Sequence, residues 1–133
     1  MDLISIIIPY FKKKEFIKQT LKSAINQTYK NIEILIVFDG GSEKDLKFLK
    51  NLISNQPKIR MIINKKNLGA GICRNLAIRK SKGKYIAFLD ADDLWKKNKV
   101  LMQLKFMKKK NIKVSHTSFN IINEKGNFKK KIL

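Results

Sequence analysis

Four short apolar runs, each cut off by residues that cannot continue a strand, constrain this chain more than any other feature. Leu3 to Pro9 is apolar except for Ser5, rich in isoleucine and closed by proline. Ile32 to Phe38 stops at Asp39-Gly40-Gly41-Ser42. Ile59 to Ile63 follows Pro57 and gives way to the polar loop Asn64 to Gly69, and Tyr85 to Leu89 runs directly into Asp90-Ala91-Asp92-Asp93. Continuous rather than alternating apolar character is what a parallel strand covered on both faces requires. Between the runs the spacing becomes helical, with Phe16, Ile17, Leu21, Ala24 and Ile25, then Leu46, Leu49, Leu52 and Ile53, then Ile72, Leu76 and Ala77. Ser81-Lys82-Gly83 would close the third helix with a glycine suited to a helix carboxyl terminus, and Val100, Leu101, Leu104 and Met107 mark a fourth helix. Strands alternating with helices predict an α/β chain with a mostly parallel sheet flanked by helices and right-handed crossovers. Ligands of such open sheets bind beyond the carboxyl ends of the strands. Pro9 to Phe11, Asp39 to Ser42 and Asp90 to Asp93 are therefore expected along one edge.

The remainder of the chain predicts strands over Ile112 to Phe119 and Ile121 to Ile122. The turn Glu124-Lys125-Gly126-Asn127 then leads into a hairpin through Phe128 to Leu133. With 133 residues, 44% of them apolar, one core and one domain over 1–133 are expected. No stretch approaches the roughly 18 to 20 apolar residues of a bilayer span, and Met1 to Pro9 lacks a secretory signal's basic start and cleavage site. These features predict a cytoplasmic protein, with the inner face of the membrane as an alternative station. Cys73 is the only cysteine, so it has no internal disulfide partner and no metal-site spacing, and is expected to be a small core residue. The formal charge of +20 is carried mostly by lysine, Arg60, Arg74 and Arg79 being the only arginines. Lysine is a solvated point charge poorly suited to bidentate base reading, so nucleic acid is not an expected partner. Runs at Lys12 to Lys14, Lys108 to Lys110 and Lys129 to Lys131 fall at predicted element ends and fit either a lysine-biased composition or peripheral contact with anionic lipid.

Three carboxylates in four positions after a buried strand repel one another unless a cation or hydrogen-bond donors compensate them. Hard oxygen ligands favour Mg²⁺ or Mn²⁺, which take one or two protein carboxylates and complete their shell with water and phosphate oxygens. A bland reading stands beside this one, in which the acids cap the helix that begins after Lys96. His116 has no second histidine nearby and is expected at a core or edge position of its strand. Trp95 either shields a site beside the acids or packs against the sheet. Glu124, the only acid after Asp93, is expected at the surface of the hairpin turn.

Gly83-Lys84-Tyr85-Ile86-Ala87-Phe88-Leu89-Asp90-Ala91-Asp92-Asp93 closely resembles the segment of inverting family 2 glycosyltransferases that contains their DxD motif. Other segments agree in order. Ile6-Ile7-Ile8-Pro9-Tyr10-Phe11 resembles that family's opening strand, Ser23 to Gln27 with Thr28 its SxxxQT helix end, and Asn67-Leu68-Gly69 with Arg74-Asn75 its NxGxxxARN element. The resemblance implies a Rossmann-like GT-A fold, truncated, that binds a nucleotide-diphosphate sugar, UDP-linked first, with Mg²⁺ or Mn²⁺ for inverting transfer to the hydroxyl of a glycan or lipid-linked acceptor. It implies that Pro9 and Phe11 line the base pocket, with Phe11 where the family usually stacks a tyrosine. Asp39 would accept from a uracil-type base edge, and Arg74 would support the base or phosphate region. Asp90 would meet ribose, Ala91 would lie within the site, Asp92 would ligate the metal, and Asp93 would stand behind them.

The chain departs from the family pattern in two places. Val37-Phe38-Asp39-Gly40-Gly41-Ser42 replaces the usual VDDGS, losing the first acid and gaining a glycine. The family also continues beyond this point into an acceptor-binding half that carries the general base, for which no residue here substitutes. Two other classes remain as alternatives: a non-catalytic, lysine-rich interaction module that retains the fold, and a different Rossmann-like nucleotide enzyme. The second lacks support because no GxGxxG or P-loop follows the first strand.

Overall fold

The computed structural model describes residues 1–132 and contains a four-stranded parallel sheet with four helices and a separate hairpin. In chain order the elements are β1 (Ile4–Tyr10), α1 (Lys14–Ile25), β2 (Ile32–Asp39), α2 (Glu43–Ile53), β3 (Ile59–Asn64), α3 (Ala70–Lys80), β4 (Tyr85–Phe88), α4 (Lys99–Lys110), β5 (Phe119–Ile122) and β6 (Phe128–Ile132). The sheet order is β3-β2-β1-β4, with Ile4 opposite both Ile32 and Tyr85. The chain thus builds outward from β1 through β2 to β3, then crosses back to place β4 on the other side of β1. That reversal is a topological switch point, the crevice where open sheets take their ligands.

The unbroken apolar character of β1 and β2 follows from their position inside the sheet. Ile6, Ile8, Tyr10, Ile34, Ile36 and Phe38 face a core completed by Ile17, Leu21 and Ala24 of α1, Leu49 of α2 and Val100 and Leu104 of α4. Ile7, Leu35 and Val37 face the opposite side, where Cys73 and Ala77 of α3 cover them. Cys73 is buried as expected, but the inward face of α3 is built on Cys73 and Ala77, while Ile72 is half exposed. Small side chains on that face let the helix settle onto the sheet.

At the amino ends of the strands, away from the switch point, Ser5 and Glu33 form a buried polar knot. Ser5 Oγ donates to Glu33 Oε1 at 2.6 Å and accepts from the Gly83 amide at 2.9 Å, while Arg60 engages Glu33 Oε2 at 2.8 Å. Gly83 is required here for close approach rather than for a helix end, since a Cβ would lie 2.5 Å from Ser5 Oγ. The third helix instead ends at Ser81 in an extended conformation.

The carboxyl-terminal region departs further from expectation. Ile112 to Ser118 forms no strand, and β5 begins only at Phe119. His116 lies in this exposed connection and occupies neither a core nor a strand-edge position. The expected turn is present, with Gly126 at φ 83 and Glu124 exposed, and β5 and β6 pair antiparallel with each other. Lys129 to Lys131 lie inside β6 instead of at an element end, and Leu133, the last residue of the expected hairpin, lies outside the described residues. No helix among the described residues is long and apolar enough to cross a membrane.

Candidate functional site

The ends of β1, β2 and β4 open onto one concavity of about 320 Å³ whose wall includes Pro9, Phe11, Asp39, Arg74, Asp90, Ala91 and Asp92. Every site residue expected from the sequence is brought to this wall, together with Tyr10, Lys13, Asn67, Gly69 and Ala70. Asp93 and Trp95 are not part of it. Trp95 is partly buried against the main core, with the Lys99 ammonium 4.5 Å from its ring centroid, so it packs rather than shields.

β1 delivers the first lip. Tyr10 turns into the core, where its hydroxyl donates to Asp45 Oδ1 at 2.6 Å, and alternation along the strand leaves Phe11 at the surface, 39% exposed. Lys12 adopts φ 50, an unusual value for a residue with a side chain, and redirects the chain from strand to helix.

β2 delivers Asp39, which is buried, and its carboxylate organises the loop after β3. Oδ1 accepts from Asn64 Nδ2 and the Leu68 amide, both at 2.9 Å, and Oδ2 accepts from the Gly69 amide at 2.8 Å. Burial alone would push this carboxyl up, but the donors, Asn64 first, outweigh it and hold the group below its ordinary value. Asp39 is therefore an anion at neutral pH. The same neighbourhood, burial first and then the Asp39 carboxylate, pushes the Cys73 thiol up to about 12, consistent with an inert packing residue. The Gly40-Gly41 pair has a physical reason. Gly40 sits at φ 77, where a Cβ would come within 2.6 Å of the Asn67 amide nitrogen, and Gly41 sits at φ 137. Ser42 then caps α2 by accepting from the Asp45 amide at 3.1 Å.

β4 delivers the acids. Pairing with β1 extends one step past the strand through the Leu89 amide to Ile7 O at 3.0 Å, and the Asp93 amide returns to Asp90 O at 3.0 Å to close the acidic turn. These acids do not cap α4, because its N-cap is Asn98 and no side chain caps that end. Asp90 pairs with Arg74 at 2.7 Å and Asp92 with Lys13 at 2.7 Å, so cations from α3 and from the β1–α1 turn meet the motif from two sides. Asp93 is held above the ordinary carboxylate value, first by desolvation and then by the charges of Asp90 and Asp92.

What keeps the acidic turn and the segment after it in place is α1 with the residues that follow it. Thr20 Oγ1 donates to Ala91 O at 2.9 Å, Ser23 Oγ accepts from the Trp95 amide at 3.1 Å, and the Thr28 amide donates to Lys97 O at 2.9 Å. Gln27, fully buried, donates to Lys96 O at 2.9 Å and accepts from the Val100 amide at 3.0 Å. The Ser23 to Thr28 pattern shows no task in the sequence alone, and its signal is Thr20, Ser23 and Gln27, polar residues at helical spacing on an otherwise apolar face. Lys13 and Asn64 were also missed. Neither stands out in composition, because lysine is abundant and asparagine is ordinary in loops.

No group of three or more His, Cys, Asp or Glu among the described residues forms a protein-only metal cage. Asp90 and Asp92 are part-exposed carboxylates on the pocket wall. This donor set fits a hard divalent cation only in the mode that takes one or two carboxylates and fills its shell with water and phosphate oxygens.

The profile described as "Glycosyl transferase family 2" matches residues 5–133. An "Uncharacterized glycosyltransferase" of Rickettsia felis is 45% identical over 125 residues, covering 94% of this chain and 20% of that protein. The "UDP-Glc:alpha-D-GlcNAc-diphosphoundecaprenol beta-1,3-glucosyltransferase WfaP" of Escherichia coli is 38% identical over 121 residues, covering 91% of this chain and 47% of that protein. Among solved structures, S. aureus TarS 1-349 in complex with UDP-GlcNAc superposes with a TM-score of 0.72 at 23% identity, over 82% of this chain and 32% of that one. The chain therefore spans about a fifth of the Rickettsia protein's length and about half of the E. coli protein's. The likeness to TarS is one of fold, and the fold is that of GT-A glycosyltransferases, as the sequence implied.

Proposed function

The chain belongs to glycosyl transferase family 2, and from that premise we propose that its concavity binds a nucleotide-diphosphate sugar, UDP-linked first, together with Mg²⁺ or Mn²⁺. The bound sugar would be the donor for an inverting transfer to the hydroxyl of a glycan or lipid-linked acceptor. The observation that carries the reading is convergence: a flat aromatic, an ionised buried carboxylate and a pair of part-exposed carboxylates, from three separate strands, share one wall. Each matches a different part of the proposed ligand.

Phe11 offers a ring face to the base, and the missing tyrosine hydroxyl leaves stacking intact. Asp39, being ionised, only accepts hydrogen bonds. With Oδ1 engaged by two donors and Oδ2 by one, Oδ2 retains a lone pair for an imino N–H. Uracil carries such a donor at N3, whereas cytosine presents a lone pair there and would be repelled. Asp90 reaches toward ribose and Arg74 toward the base or phosphates, while Asp92 would hold the cation with Ala91 between them. The cation, when bound, neutralises charge that develops on the departing diphosphate. The chain's own contribution is to stack the base, read its edge and hold the diphosphate with the anomeric carbon open to attack. The general base that deprotonates the acceptor is assigned to none of these residues. The E. coli relative, whose name specifies a UDP-Glc donor and a lipid-linked acceptor, supports the same substrate classes here.

Calorimetry tests the proposal. UDP should bind in the presence of Mn²⁺, more weakly once the metal is chelated, and CDP should bind less tightly than UDP under both conditions. Equal affinity for UDP and CDP would remove the role given to Asp39, and UDP binding indifferent to Mn²⁺ would remove the metal.

A further inference from the structure

We propose that Lys13 is an exchangeable counter-ion of the acidic turn: it pairs with Asp92 and passes to the diphosphate when cation and donor bind. The inference rests on the donor-binding reading and adds a residue that no motif identifies. Lys13 Nζ lies 2.7 Å from Asp92 Oδ2, and both residues line the concavity. Its backbone is fixed, since the Lys13 carbonyl accepts from the amides of Phe16 and Ile17 at 3.0 Å each and so starts α1. The ammonium, by contrast, sits at the end of four rotatable bonds and is partly exposed, with 42% of the side chain accessible against 38% for Asp92. A part-exposed pair of this kind is weak enough to be exchanged.

Charge makes the exchange directional. Asp90, Asp92 and Asp93 bring three negative charges to the turn, and Lys13 and Arg74 supply two positive ones by contact with Asp92 and Asp90. A divalent cation on Asp92 would displace the ammonium, because two positive centres on one small carboxylate repel strongly at such distances. An arriving diphosphate supplies new negative charge beside the same lip, within the sweep of the lysine stem. Lys13 would therefore oppose the metal when it binds alone and favour the metal with the nucleotide. Each cation also lies near a ring, Lys13 Nζ 6.0 Å from the Phe16 centroid and Arg74 5.9 Å from that of Phe88, but Arg74 is less suited to this exchange because it is the less exposed of the two and its stem ends in a planar fork.

The test uses the full chain with Lys13 unchanged, Lys13→Gln and Lys13→Arg, all first matched for thermal midpoint. Mn²⁺ uptake alone is followed by the loss of the free-ion electron paramagnetic resonance signal, and UDP binding at saturating Mn²⁺ by calorimetry. Lys13→Gln should bind Mn²⁺ about threefold more tightly and UDP about tenfold more weakly, opposite signs that a merely structural lysine would not produce. Lys13→Arg should restore UDP binding. If Lys13→Gln leaves either affinity unchanged, or shifts both in the same direction, the exchange is refuted while the donor site stands. If the unsubstituted chain takes up neither Mn²⁺ nor UDP, the donor-binding reading falls and the exchange falls with it.

Discussion

Asp39 shows how a single carboxylate can do structural work and still line a pocket. Three donors converge on it, the Asn64 amide group and the backbone amides of Leu68 and Gly69. Replacing it with asparagine would turn an NH₂ group toward at least one of them. Asp39→Asn should cost about 1 to 3 kcal/mol, as expected when a buried donor is left unpaired, and urea unfolding at neutral pH would measure it. The pH dependence has a definite sign. The folded carboxyl is held below its ordinary value, so its contribution is present above about pH 4, the unfolded value, and is lost as pH falls through the folded one. The stability gap between the two proteins should close in acid. A gap that stayed constant down to pH 2.5 would mean that the charge of Asp39 does not matter to the fold.

The element that matters most to the acidic turn is a helix that contributes no residue to the pocket wall. α1 holds Ala91 and Trp95 through Thr20 and Ser23, and the residues just after it hold Lys96, Lys97 and Val100 through Gln27 and Thr28. Gln27→Ala would leave the Lys96 carbonyl and the Val100 amide without their partner and open a void, so a loss of about 2 to 4 kcal/mol is expected. UDP affinity with Mn²⁺ should weaken as well, although Gln27 touches no ligand, because the Asp92 backbone would loosen. Unaltered affinity in the folded variant would show that β4 together with Thr20 and Ser23 positions the turn without Gln27.

The same elements show what can be read from a chain of letters. β1 and β2 were legible because burial on both faces demands uninterrupted apolar residues, and the site edge was legible because strand ends in a parallel sheet must point one way. Ile112 to Ser118 was not, because β-propensity records fitness for a pleated, half-buried surface and this stretch meets none. Val114 is 84% exposed there, and Gln103 of α4 instead holds Ser115 by its carbonyl at 3.0 Å. α3 was placed but rotated, since periodicity weighted the large Ile72 over the small Cys73 that fits the sheet. The work of Gln27 was hidden for another reason: its partners lie 69 and 73 positions away along the chain.

Over the whole molecule, the formal charge of +20 on 133 residues makes self-repulsion a general opponent of compactness. Local relief exists, as where Lys84 and Lys108 both engage Asp2 at 3.2 and 2.7 Å, but acids are too few to match the lysines. Raising NaCl from 0.1 to 1 M shortens the screening length from about 10 to about 3 Å. The thermal midpoint should therefore rise by a few degrees, and a fall on adding salt would mean that ion pairs outweigh repulsion. The interior position of β1 carries a further consequence for how the protein is made. β1 is made before β2, β3 and β4, yet it has β4 as a neighbour, Ile4 beside Tyr85. During translation the two sides of the concavity thus become neighbours only after the acidic turn has left the ribosome. A message cut short before that point would yield a polypeptide that keeps the β1 and β2 edges of the concavity and lacks the third.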